Sequence, residues 1–156
     1  MCLGENAFVE IFAKVSPYVV SFSDNTFPDP QTSYAIATCD AYKWGSGIII
    51  SDYGLILTCD HMFKQYSGSL RRKSHLTNVS HVLAKIDVHT HDHRMLEGSL
   101  IFADISEHIA IVEVKSHDPP LSVATNGRSS SLVTGEWVAA ISCPNACQDT
   151  LTHYII

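Results

Sequence analysis

A chain of 156 residues has the length of one ordinary domain and enough residues to bury a core. With 46% hydrophobic and 17% charged residues it reads as a folded protein, not a disordered one. The formal charge is -6, and no basic stripe is visible beyond Arg71-Arg72-Lys73, so nucleic acid is not an expected partner. No stretch approaches the ~20 apolar residues that span a bilayer, so no membrane partner is expected either.

Taken in chain order, the apolar residues Phe8, Val9, Ile11, Phe12 and Val15 suit a short amphipathic helix over Asn6–Lys14, stopped by Pro17. Val19–Phe22 is a β-branched run, and Ser23–Ser33, rich in Asp, Pro, Asn and Ser, reads as a loop. Gly47–Ser51 and Leu55–Thr58 read as two strands of a hairpin joined by Asp52-Tyr53-Gly54. Lys64–Asn78 is polar and reads as another loop. Val82–Val88, Ser99–Phe102 and Ile109–Val114 follow as strands, with a turn at His91–Arg94 and a break at Asp118-Pro119-Pro120. Gly135–Ile141 and Thr150–Ile156 complete the series. Short strands separated by turn signals predict an all-β barrel or sandwich.

Cys2, Cys39, Cys59, Cys143 and Cys147 form an odd set without regular spacing, and Met1–Glu10 has neither a basic flank nor a continuous apolar run. Both features lead us to expect free thiols in a reducing intracellular compartment.

The most specific block is Gly45-Ser46-Gly47-Ile48-Ile49-Ile50-Ser51-Asp52-Tyr53-Gly54-Leu55-Ile56-Leu57-Thr58-Cys59-Asp60-His61. It resembles the HtrA/Deg family of trypsin-like serine proteases, in which a Gly-Ser-Gly strand, a turn ending in Gly and a second strand lead to Thr-x-x-His. Four further segments fall in that family's order: Val15-Ser16-Pro17-Tyr18-Val19-Val20, His93-Arg94 with Glu97-Gly98, Ile109–Val114, and Gly135–Ile141. The resemblance implies a chymotrypsin-fold first β-barrel plus the opening strands of an incomplete second barrel. It divides the chain into an N-terminal helical segment (residues 1–14), a first barrel (15–118) and a partial second barrel (119–156). It also implies that His61 occupies the general-base position, at a strand end where its ring would face a cleft.

Two departures from the family pattern bear on the chemistry. The triad acid should stand immediately before Ile109-Ala110, and that position is His108, which supplies no carboxylate. Glu107 points to the opposite face of an extended strand, and Asp104 could take over only if the backbone shifted. The Gly-x-Ser-Gly-Gly nucleophile motif does not occur, and Ile156 falls in what looks like the second strand of the second barrel. Ser129, Ser130 and Ser131 lack its glycine context. Asp60 also replaces the small residue usual before the histidine. The expectation is a truncated HtrA/Deg-like homologue without autonomous peptidase activity, with no nucleophile and no cofactor or metal assigned. Its implied partners are protein or peptide chains, with homo- or hetero-oligomers of HtrA/Deg-like proteins.

Two alternatives stay open at the level of sequence. One is a non-enzymatic protein-binding module that associates with full-length relatives or unfolded chains. The other is a metal-binding β domain using His89, His91 and His93, whose alternation on a strand would put three imidazoles on one face. His75, His81 and His117 lack a cooperating spacing. Cys143 and Cys147 with His153 make a weak metal pattern, and Cys59 beside His61 lacks the geometry of a thiol–imidazole pair.

Overall fold

A computed structural model describes residues 6–23, 43–63, 85–115, 118–143 and 150–156. Helix α1 (Ala7–Val15) carries Glu10 in its first turn and Lys14 in its last, each suited to the helix dipole. Pro17 lies in the following 3₁₀ turn, Ser16–Tyr18, where its fixed φ is tolerated and an α-helix cannot continue. Strand β1 (Val19–Ser23) comes next.

The remaining strands of the first sheet are β2 (Lys43–Ile49), β3 (Leu55–Thr58), β4 (Lys85–Thr90), β5 (Met95–Asp104) and β6 (Ile109–Val114). They close with β1 into a barrel of order β1-β2-β3-β6-β5-β4, all neighbours antiparallel. Closure pairs every edge, which removes the open ladder groups an isolated sheet would expose. Alternation fills the interior: Ala110, Val112 and Val114 of β6 are buried, as are Ile86 and Val88 of β4. With Val20, Phe22, Ile49, Ile56, Phe63, Leu100 and Leu121 they form one core.

Element boundaries shift for local reasons. Gly54 has a φ of 86° and its N–H donates to the Ser51 carbonyl at 3.1 Å, while the Ile50 N–H donates to Leu55 at 2.9 Å. The β2–β3 turn therefore tightens around Ile50–Leu55. Gly135, at φ 97°, is a turn residue, so the strand expected from Gly135 starts two positions later. Of the loop expected over Ser23–Ser33, Ser23 is instead the buried last residue of β1, paired with both β2 and β4, and the rest lies outside the described residues, as do the loop expected over 64–78 and residues 82–84.

After β6 the chain runs past β2, where the Ala124 N–H donates to the Ile49 carbonyl at 2.9 Å. Strands β7 (Trp137–Ser142) and β8 (Thr150–Ile155) then form a separate antiparallel pair. This pair lies against β1, β2 and α1. The Cys143 N–H donates to Ser46 Oγ at 2.7 Å, and the Phe8 ring meets Trp137 edge-on at 6.3 Å. Strand β1 is consequently buried on both faces, by the core on one and by β7 on the other. The all-β expectation of a trypsin-like barrel followed by strands of a second sheet holds. Among the described residues no helix is long and apolar enough to cross a membrane.

Candidate active site

The Thr58–His61 block sits where β3 runs out of partner. Thr58 Oγ1 donates to the Ser46 carbonyl at 2.8 Å, tying the end of β3 to the Gly-Ser-Gly segment of β2. The chain then turns through one 3₁₀ turn, Asp60–Phe63. Phe63 anchors it, buried in the core with its ring edge-on to Phe22 at 6.2 Å. Met62 packs over Gly45, where a Cβ would lie 1.7 Å from the methionine Sδ, so any larger residue at 45 would displace it. Between the buried Asp60 and the half-buried Met62, the His61 side chain projects outward and is exposed. His61 is thus on a turn just beyond the strand and not at the strand end where the sequence reading put it.

The register of β3 and β6 decides what faces what. Thr58 pairs with Ala110, so two steps further along β3 and two steps back along β6 bring residue 60 opposite residue 108. The Asp60 N–H donates to the His108 carbonyl at 3.4 Å, and Asp60 Oδ1 lies 3.3 Å from His108 Nδ1. The aspartate side chain is 6% exposed and the histidine 74%. His108 has a φ of 57°, a left-handed conformation uncommon outside glycine, at the end of the β5–β6 turn.

The other two acids near residue 108, Asp104 and Glu107, belong to the end of β5 and the turn after it. Asp104 Oδ1 accepts from Ser106 Oγ at 2.6 Å, from the Ser106 N–H at 2.9 Å and from the Glu107 N–H at 3.2 Å. The serine hydroxyl first, then the two amides, hold its carboxyl below the usual aspartate range. Its role is to fold the 105–108 turn. Glu107 is exposed on that turn.

The histidine trio does not gather on one face. His89 lies in β4, with Nε2 2.6 Å from Ser23 Oγ, whereas His91 and His93 belong to the following turn. His91 Nε2 lies 3.5 Å from Ser16 Oγ, and His93 has a φ of 64°. The strand ends at Thr90 because the Thr90 and Arg94 backbones close the turn, so alternation stops before it reaches His91. Among the described residues no group of three or more His, Cys, Asp or Glu side chains is placed to hold a metal.

The other candidates are also dispersed. Cys143 is buried beside Ser46, Cys147 lies outside the described residues, and His153 stacks against Phe8 and Trp137 at 4.6 and 5.5 Å. Ser129–Ser131 form an exposed 3₁₀ turn in which Ser131 Oγ donates to the Arg128 carbonyl at 2.7 Å. Cys59 is an exposed free thiol, and Cys2, Cys39, His75, His81 and His117 lie outside the described residues. The Asp60–His108 pair is the feature that sequence reasoning missed. Its signal was two coincident departures from the family pattern, a carboxylate gained at 60 and a carboxylate lost at 108.

A six-stranded antiparallel barrel that carries Gly-Ser-Gly on one strand and Thr-x-x-His beyond the next defines a class. The chain belongs to the trypsin-like peptidase family, whose domain matches residues 45–155. Within that class it is similar to Do-like, HtrA and DegP-like serine proteases. It is 34% identical over 154 residues to "Putative protease Do-like 14" of Arabidopsis thaliana, covering 99% of this chain and 32% of the relative. To "Putative serine protease HhoA" of Synechocystis it is 29% identical, covering 90% of this chain and 30% of the relative. To "Serine protease HTRA2, mitochondrial" of Drosophila erecta it is 31% identical, covering 72% and 22% respectively. The chain thus spans about a third or less of the length of these relatives.

Proposed function

We propose that this chain builds the histidine-bearing wall of an HtrA/Deg-type serine endopeptidase, and that these 156 residues by themselves do not hydrolyse peptide bonds. The division that goes with it is a helical segment to residue 14, a first barrel over 15–118 and the start of a second barrel over 119–156.

The observation that carries the reading is the pairing of position 108. In the serine-protease triad a buried carboxylate on the base holds its tautomer and stabilises the imidazolium, and the milder Asp-to-Asn change already costs ~10⁴-fold in turnover. On this reading His61 takes the general-base role and His108 the acid position, and the carboxylate in contact with His108 among the described residues is Asp60, on the same turn as His61. The sequence also holds no Gly-x-Ser-Gly-Gly, so a serine nucleophile and its oxyanion hole would have to come from outside these residues. Incubation of the purified chain with fluorescently labelled casein is expected to give no release above buffer. Release that His61→Ala abolishes would overturn the reading.

A second reading, a non-catalytic role in binding protein chains, in homo-oligomers or with HtrA/Deg-like proteins, rests on one feature. Strands β7 and β8 leave Trp137, Tyr154, Ile155 and Ile156 exposed on a two-stranded sheet, an apolar surface beside open edges. Sedimentation of the chain alone and mixed with a full-length relative is expected to show association. A monomer under both conditions would remove this reading and leave the first untouched.

A further inference from the structure

We propose that Asp60 and His108 form a permuted acid–imidazole dyad. The buried Asp60 carboxylate is a positioning residue that fixes His108 as its Nδ1–H tautomer, and this leaves His108 Nε2 as a proton acceptor toward solvent. The inference rests on the first-barrel reading only for the place of residue 108 beside the base turn.

An ionised carboxylate has no proton to donate, so a hydrogen bond between Asp60 Oδ1 and His108 Nδ1 puts the hydrogen on Nδ1. In a neutral ring the lone pair then sits on Nε2. That is the division of labour a serine-protease acid imposes on its base. The aspartate is 6% exposed and the imidazole 74%, so the carboxylate is shielded while the ring reaches solvent.

Three features hold the arrangement. The side-chain contact is doubled by the backbone bond from the Asp60 N–H to the His108 carbonyl at 3.4 Å. Asp60 sits on a turn anchored by the buried Phe63. His108 is presented by a turn that Asp104 folds through Ser106 and Glu107, and it keeps a left-handed φ of 57°. A conformation of that kind persists only where the surroundings over-determine it. Relative to the family pattern, the carboxylate has moved from residue 108 to residue 60 while the spatial acid–imidazole contact between β3 and β6 remains. The imidazole it serves is now His108, whereas the His61 ring has no hydrogen bond among the described residues.

The test is the tautomer of each imidazole, read by long-range ¹H–¹⁵N NMR on histidine-labelled chain at about pH 8.5, two units above the ordinary imidazole value of ~6.5. His108→Gly, which relieves the left-handed φ while deleting the ring, identifies the His108 signal. The expected result is a protonated Nδ1 and an unprotonated Nε2 at His108, lost in Asp60→Asn and retained in Asp60→Glu. A protonated Nε2 in the unmodified chain would overturn the proposal, and so would a tautomer unchanged in Asp60→Asn. If Asp60→Asn does not fold, the unmodified chain alone decides. None of these readings depends on peptide hydrolysis, so the dyad and the first-barrel reading fail separately.

Discussion

Burying a carboxylate is costly unless a charge or hydrogen-bond donors reach it, and among the described residues the side chain that reaches Asp60 is His108. This makes the most obvious repair of the family pattern counterproductive. His108→Asp puts an acid where the family resemblance expects one but places it against the buried Asp60, and like charges at that separation oppose each other. We expect the single change to lower stability by about 1–3 kcal/mol, the range reduced because residue 108 is largely exposed. The double change Asp60→Ala with His108→Asp returns a small residue before His61, and its loss is expected to be smaller than the sum of the two single losses by more than about 0.5 kcal/mol. Urea unfolding midpoints of the four proteins read this directly. Additive losses would mean the two positions do not interact.

Asp104 makes a pH prediction at the same scale. Its carboxyl is held below the usual range in the folded chain, chiefly by the Ser106 hydroxyl and then by the Glu107 and Ser106 amides. A depressed acid stabilises above the unfolded value of about 3.9, and that contribution fades as pH falls through the lower folded value. The 105–108 turn is therefore expected to keep its amide protection at neutral pH and to lose it in acid, below about pH 4. Asp104→Ala should lose protection at Ser106 and Glu107 at every pH, as hydrogen exchange at those two amides would reveal.

Among the elements, β5 and β6 show how a barrel this small accepts large β-branched residues. Val88 and Val112 approach each other across Gly98, where a Cβ would stand 2.8 Å from a methyl of each. Gly47 has the same part in β2, with Phe22 and Ile56 closing over it. Gly98→Ala is expected to cost about 1–3 kcal/mol by overpacking, since both neighbours are buried and cannot swing to solvent. A thermal midpoint equal to that of the unmodified protein would show that the valines can give. The strands themselves were legible because their inward residues alternate: Leu55–Thr58 and Ile109–Val114 appear with the bounds read from sequence. The end of β4 was not legible. His89, His91 and His93 continue the period of two, but Thr90 Oγ1 bonds to Asp92, and the backbone bonds between Thr90, His93 and Arg94 fold the chain into a turn there. Periodicity records which faces a strand would have, not where a hydrogen-bonded turn stops it.

At the scale of the molecule, the N-terminal helix and the β7–β8 pair are joined to the barrel by a mixed seam. At its aromatic end the Phe8 ring of α1 meets Trp137 of β7 edge-on and lies tilted against His153 of β8, joining the helix to the hairpin. The Ser16–His91 and Ser46–Cys143 contacts make up its polar part. Aromatic pairs of this kind contribute about 0.5–1.5 kcal/mol beyond their buried area. Phe8→Ala is expected to release α1 from the hairpin, lower stability by about 1–2 kcal/mol and speed tryptic cleavage after Lys14 several-fold. An unchanged cleavage rate would show that α1 is held by the rest of the seam.

Sequence by itself determined the all-β barrel class and most of the strands, because alternation, turn glycines and a Gly-Ser-Gly…Thr-x-x-His order are local properties of consecutive residues. It also determined that residue 108 is not a carboxylate. Only the tertiary structure decided that Asp60, one step from His61 in sequence, turns its carboxylate onto His108, 48 positions away. That outcome depends on the β3–β6 register, on Phe63 anchoring one turn and on Asp104 folding the other, and no spacing along a single strand encodes their meeting.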